Sequence, residues 1–293
     1  MWEHADVIEV RDPADERVDD FRALTTADRR PDRPGGKGLV IAEGALVVRR
    51  MLASRFPLRA ILGVPRRIDE LAADLDGLTE PVYVTSAEVM AEVVGFHLNR
   101  GVLAVADRPP ALSVDDVVGG DVVGGDVSGS DMSGGDVSGG ESGGARRLAV
   151  LEGVGDHENL GALFRNAAAL GVDGVLLGPG CSDPLYRRSV RVSMGHVLGV
   201  PFASLLPWPA GLKLLRDRGF RVLAMTPTPT AEPLASVAGR VAVLLGSEGR
   251  GLSDEAIAAA DAAVRIPMAG EVDSLNVATA GAVAFYALGT FGR

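Results

Sequence analysis

Three short stretches in the second half of the 293-residue chain place unusual polar residues among glycines at the ends of apolar runs, where a ligand could be met. The first is NLGALFRN, Asn159 to Asn166. Its apolar positions 160, 163, 164, 167 and 168 form one helical face, with Asn159 as the expected N-cap and Gly171 at the C-terminal end. Arg165 falls off that face in the second turn, where a guanidinium and the positive helix end together favour an anion. The second is LLGSEGRGLS, 244 to 253, in which an apolar run ends in three glycines around Glu248. Glycine permits a positive φ and close backbone approach, so a ligand could lie on the main chain there. The third is IPMAGEVDSLNVATAGAVAFYAL, 266 to 288, with Asn276 and Thr279 among apolar neighbours. Both are expected to be buried and to need partners, because an unsatisfied buried amide costs about 1–3 kcal/mol.

Taken singly, each stretch also has a plain reading. Arg165 can be a surface residue, and the glycine loop can be a simple strand-to-helix connection with Ser253 capping the helix DEAIAAAD. Asn276 and Thr279 can belong to a packing interface. The loop is neither a Walker loop, having no GK[ST], nor a dinucleotide GxGxxG, and GPG at 178–180 is a poor fingerprint for a nicotinamide-dependent enzyme.

The elements that would carry these stretches alternate strand and helix. LAVLEGV (148–154), GVLLG (174–178), RVLAM (221–225), VAVLLG (241–246) and AVRIP (263–267) read as buried strands, and a last, almost wholly apolar helix spans roughly 274 to 288. This predicts an α/β fold with a parallel sheet covered by helices on both faces and a site beyond the carboxyl ends of the strands. Upstream, residues 35–110 alternate in the same way and predict a small α/β domain, preceded by an extension, 1–34, with one short helix. Between the two lies a five-residue repeat, DVVGG DVVGG DVSGS DMSGG DVSGG ESGGA, with acids at 116, 121, 126, 131, 136 and 141. Gly and Ser make 111–146 a flexible linker, spanning about 30 Å as a coil. The second, downstream domain is then 147–293.

Composition narrows the class. With 47% hydrophobic and 23% charged residues the chain is globular, and a single cysteine, Cys181, excludes a disulfide scaffold or a multi-cysteine metal site. The start, MWEHADVIEV, lacks a basic segment followed by an apolar core, and no apolar run approaches the roughly 18 residues of a membrane helix. A cytoplasmic protein without membrane or metal partners is expected. The net charge of −10 comes from residues 1–34 and from the repeat, while both candidate folded domains, 35–110 and 145–293, are near neutral, so charge alone neither supports nor excludes RNA binding.

Together, in this order and spacing, the three stretches resemble the signature motifs of the SpoU/TrmH family of RNA ribose 2′-O-methyltransferases, of the SPOUT class. The motif residues are Asn159, Gly161 and Arg165; Gly246, Glu248 and Gly251; and Ile266 through Val277. The resemblance covers 148–291, and SVRVSMGHVLGVPF (189–202) looks like the family's segment between motifs. Ala278 and Thr279 stand where members often show Ser and Val. Residues 35–110 resemble the ribosomal-protein-like RNA substrate-binding domain that many members carry.

That resemblance implies S-adenosylmethionine as methyl donor, a carboxyl-terminal trefoil-knotted parallel sheet, a homodimer with the site near its interface, and rRNA or tRNA as substrate. It implies catalytic roles for Asn159, Arg165, Glu248, Ser274 and Asn276. Cofactor binding is implied for Leu245, Gly246, Ser247, Glu248, Gly251, Ile266, Pro267, Met268, Ser274, Leu275 and Val277. A catalytically silent RNA-binding relative is disfavoured because the motif residues are all present.

Overall fold

The computed structural model describes residues 7–22, 24–30, 33, 35–119, 146–269 and 274–289. The acidic repeat from 120 to 145, and residues 270–273 of the third motif, lie outside them. The chain forms two compact units, residues 1–111 with 183–199, and residues 112–182 with 200–293.

In the first unit, β1 (Val7–Glu9), α1 (Leu24–Ala27), β2 (Val40–Glu43), α2 (Ala45–Leu52), β3 (Leu58–Gly63), α3 (Pro65–Glu70), β4 (Val82–Val84), α4 (Ala87–Val94) and β5 (Val102–Ala106) follow in order. The sheet order is β1-β4-β3-β5-β2, with β5 antiparallel to both neighbours and the β1-β4-β3 pairs parallel. Ser86 caps α4 and Gly95, in the left-handed region, ends it. Residues 1–34 are thus not a mere extension: β1 pairs with β4, and Val10, Val18, Phe21 and Leu24 are buried in the core of this unit. A three-residue strand is too short for periodicity to reveal, and its pairing partner is distant in sequence.

The second unit begins with α5 (Val114–Gly119), then β6 (Arg147–Glu152), α6 (His157–Ala169) and β7 (Gly174–Leu177). The chain next contributes α7 (Arg187–Val192) to the first unit. It returns as β8 (Phe202–Ser204), α8 (Gly211–Asp217), β9 (Arg221–Met225), β10 (Glu232–Pro233), β11 (Val241–Gly246), α9 (Asp254–Ala259), β12 (Ala262–Arg265) and α10 (Val277–Leu288). All seven strands are parallel, in the order β10-β12-β9-β11-β6-β7-β8, so the expected parallel α/β sheet is present. β6, β7 and β11 are buried over nearly their whole length, which explains their continuous apolar runs. The chain moves outward through β6, β7 and β8, crosses to β9, and then inserts β11 between β9 and β6.

The linker expectation needs one correction. Val114–Gly119 is helical, and Val117 and Val118, within the first repeat unit, are 0% and 1% exposed in the core of the second unit. Arg146 and Arg240 donate to the carbonyls of Val117 and Val118 at 3.1 and 3.4 Å. Burying a valine contributes about 1.5–3 kcal/mol, enough to fix a short helix that glycine content alone argues against.

Candidate functional site

At the carboxyl ends of β9 and β11 lies a cavity of about 790 Å³. The β11 loop, the end of β9 and the approach to α10 enclose it, with Leu245, Leu252, Ile257, Ile266 and Leu275 as apolar wall and Thr226, Ser247, Glu248, Asp254, Ser274 and Asn276 as polar wall.

The β11 loop is a tight return. Ser247 and Gly251 form an antiparallel bridge, with the Gly251 amide donating to the Ser247 carbonyl at 3.0 Å. Gly249 and Gly251 have φ of +89° and +69°. A Cβ on Gly246 would stand 2.1 Å from the Gly251 carbonyl carbon, so only glycine lets the loop close on the strand end. The loop's exit is pinned from β6. Glu152, 9% exposed, accepts from the Ser253 amide and hydroxyl at 2.8 and 2.7 Å and from the Trp208 indole at 2.6 Å. Ser253 caps α9, as its sequence position suggested.

Asn276 joins all three motifs. Its Oδ1 accepts from the Ala278 and Thr279 amides at 2.9 and 3.2 Å, making it the N-cap of α10. Its Nδ2 donates to Asn159 Oδ1 at 2.8 Å and to Glu248 Oε1 at 2.5 Å. Asn276 and Thr279 are therefore exposed, not buried, and the need for partners is met at a helix end instead of inside a core. Asn159 likewise is not the cap of α6. Asp156 is, accepting from the Glu158 and Asn159 amides at 2.8 and 2.9 Å, which puts Asn159 inside the first turn with its side chain turned to Asn276. Gly171, with φ of +68°, sits just beyond the helix end.

Arg165 stands apart from this group. Six residues after Asn159 it is about 9 Å further along the helix and about 120° around it. It is exposed, its guanidinium forms no hydrogen bond or ion pair with a described residue, and it does not line the cavity. Ser274 lines the cavity and is exposed. Of the residues expected to hold a cofactor, all but Pro267 line the cavity. The sequence reading missed Met225, Thr226, Pro227 and Thr228 after β9, and Arg250 and Asp254 in and after the glycine loop. The only signal for the β9 end was a buried run, RVLAM, stopping at a threonine-proline stretch.

Close helix packing sets the distances. A Cβ on Gly281 would meet Leu163 Cδ2 at 2.4 Å, so this glycine lets α10 lie against α6, and Asn166 Nδ2 donates to the Ala278 carbonyl at 2.8 Å. Cys181 donates to the Leu151 carbonyl at 3.3 Å, and burial pushes its thiol up, the opposite of an activated thiolate. Among the described residues no group of three His, Cys, Asp or Glu side chains is placed to hold a metal ion. No described helix is long and apolar enough to cross a membrane.

A parallel α/β domain with a cavity at the strand ends, bordered by a glycine loop and a capped helix, has the arrangement of a small-ligand-binding domain. The chain belongs to the SpoU rRNA methylase family of RNA methyltransferases, whose match spans residues 146–286. It is 55% identical over 286 residues to the uncharacterized tRNA/rRNA methyltransferase Rv0881 of Mycobacterium tuberculosis, covering 96% of this chain and 91% of that one. It is 34% identical over 140 residues to the 23S rRNA (guanosine-2′-O-)-methyltransferase RlmB of Vibrio cholerae, covering 47% of this chain and 57% of that one. In fold it is similar to the AdoMet-bound rRNA methyltransferase of Sinorhizobium meliloti, with a TM-score of 0.70 and 23% identity over 96% of this chain and 97% of that one.

Proposed function

We propose that this protein transfers the methyl group of S-adenosylmethionine to a ribose 2′-hydroxyl of rRNA or tRNA, working in the cytoplasm as a homodimer with a trefoil-knotted catalytic region. The observation that carries the reading is the hydrogen-bonded group Asn159, Glu248 and Asn276 at the edge of the cavity, which joins the three motifs. The cavity also suits the donor. Its volume falls in the usual range of about 300–1,000 Å³ for small-molecule sites, its apolar walls suit an adenosine, and Glu248 and Asp254 suit a sulfonium cation.

Bound S-adenosylmethionine supplies an electrophilic methyl group, whose bond to sulfur breaks as the bond to the ribose oxygen forms. The protein's own task is to align the hydroxyl in line and to let its proton leave. A guanidinium is protonated at neutral pH, so Arg165 acts by charge: it holds the phosphate beside the target ribose and stabilises the developing alkoxide, while the proton passes to water or to that phosphate. Asn159 has given its amide oxygen to Asn276, which leaves its Nδ2 to meet the ribose. Glu248 orients Asn276 and the glycine loop. Arg165 lies outside the cavity of its own chain, which supports a site completed by a second copy. Exposed apolar side chains next to and on α10, Leu275, Val283 and Tyr286, support the same arrangement.

Thermal unfolding tests the donor. S-adenosylhomocysteine should raise the melting temperature in a concentration-dependent way and NAD should not. A shift with NAD alone would overturn the reading.

A further inference from the structure

Within the first unit a second cavity, of about 600 Å³, is lined by Glu43, Phe96, His97, Asn99, Arg100, Arg187 and Arg191. Its walls come from the end of β2, from the loop between α4 and β5, and from α7, the segment the chain returns to this unit. Glu43 is the unusual member. Its side chain is only 10% exposed, yet its carboxylate accepts no hydrogen bond from a described residue and has only ion pairs at 3.9 Å to Arg100 Nε and 3.7 Å to Arg187 Nη1. A nearly buried carboxylate left with open acceptor positions and facing a cavity is set to receive donors from a ligand.

The other walls say which ligand. Arg187 lies over the Phe96 ring at 4.9 Å, presenting a flat guanidinium on which a base can stack. Arg191 is exposed and its guanidinium forms no hydrogen bond or ion pair with a described residue, and the Arg100 side chain is held only by its long pair to Glu43. Both suit a phosphate. Among the nucleobases, guanine alone offers two adjacent donors, N1–H and N2–H2, on its Watson–Crick edge, matching the two oxygens of a carboxylate. Adenine and cytosine present one amino donor beside an acceptor, and uracil one N–H between two carbonyls.

We propose that this cavity is a nucleotide-reading pocket that takes one unpaired guanosine of the RNA substrate, its base edge on Glu43 and its phosphate on Arg100 and Arg191. The inference rests on RNA being the substrate. It adds that recognition includes a guanosine held in the first unit, apart from the methyl-transfer cavity.

The test uses the full chain and 5′-GMP, with 5′-IMP, 5′-AMP, 5′-CMP and 5′-UMP as controls, titrated calorimetrically. GMP should bind at least about tenfold more tightly than IMP, which lacks the N2 amino group, and than the other three. Glu43→Gln should remove that preference. Arg191→Ala, at an exposed position that does not endanger folding, should lower GMP affinity toward that of guanosine, with Arg100 alone left to the phosphate. Equal affinities for all five nucleotides, or an Arg191→Ala protein that binds GMP as the wild type does, would overturn the proposal. A stem-loop RNA with guanosine or inosine in its loop separates a nucleotide within RNA from a free one. A preference for the guanosine loop supports the proposal, whereas GMP binding without such a preference points to a free nucleotide and refutes it. Methyl transfer to RNA is read separately, so that GMP binding without transfer would sink the enzymatic reading and leave the pocket standing.

Discussion

Asn276 Nδ2 lies 2.8 Å from Asn159 Oδ1 and 2.5 Å from Glu248 Oε1, while the same side chain's oxygen caps α10. One amide thus fixes a helix start, the glycine loop and the first turn of α6. Asn276→Ala should cost about 1 kcal/mol or more in stability for the lost cap, and should weaken S-adenosylhomocysteine binding. Asn276→Asp keeps the cap but turns a donor into an acceptor facing Glu248, so donor binding should fall further although the melting temperature recovers. Calorimetric titration of both variants checks this; an Asp variant that binds like wild type would contradict it.

Arg165 contributes charge without touching the cavity of its own chain. Arg165→Ala should leave S-adenosylhomocysteine affinity nearly unchanged and lower the methylation rate by about a hundredfold or more. Arg165→Lys should rescue little, because a point charge does not reproduce the planar fork. Donor affinity falling in parallel with rate would refute the assigned role.

Val117 and Val118, at the start of the repeat, are buried in the core of the second unit. Replacing 120–145 with about ten Gly/Ser residues should leave donor binding intact and turnover within a few-fold, because Gly/Ser-rich sequence of this kind offers no core. Val117→Asp, by contrast, puts a charge at a position that is 0% exposed and should unfold the second unit or lower its melting temperature sharply. Equal tolerance of the two changes would show that α5 contributes nothing.

Asp28 is fully buried, accepts the Arg187 amide at 2.5 Å and leaves its other oxygen unpartnered among the described residues. Burial pushes its carboxyl above the usual range. As pH rises the unfolded chain therefore loses this proton first, so the stabilising contribution is complete below about pH 4 and is lost as pH climbs through the folded value. Asp28→Asn should gain stability relative to wild type as pH increases. A melting-temperature difference that stays constant with pH would contradict this.

The parallel sheet and the three motifs were legible because buried parallel strands are continuous apolar runs and because glycine, asparagine and arginine stood out against them. What escaped was non-local. The α7 segment resembles the family's stretch between motifs, yet nothing in SVRVSMG says that it joins β2 and α2 of the first unit. Val117 and Val118 were hidden by the glycines that follow them, and the β1 pairing with β4 leaves no periodic trace. Asn276 was read as buried from its apolar neighbours, although the residue that begins a helix faces the loop before it.

The exposed Val283 and Tyr286 on α10, at 38% and 67%, predict a dimer in sedimentation at all working concentrations. A monomer would remove the second copy from the site.

The central claim is tested most directly by incubating the purified protein with methyl-labelled S-adenosylmethionine and RNA from cells lacking the gene, then digesting to nucleosides and identifying the labelled product by mass spectrometry. The account predicts label in a single 2′-O-methylated nucleoside, accumulating about a hundredfold or more slowly with Arg165→Ala. Label on a base, or none despite S-adenosylhomocysteine binding, would contradict it.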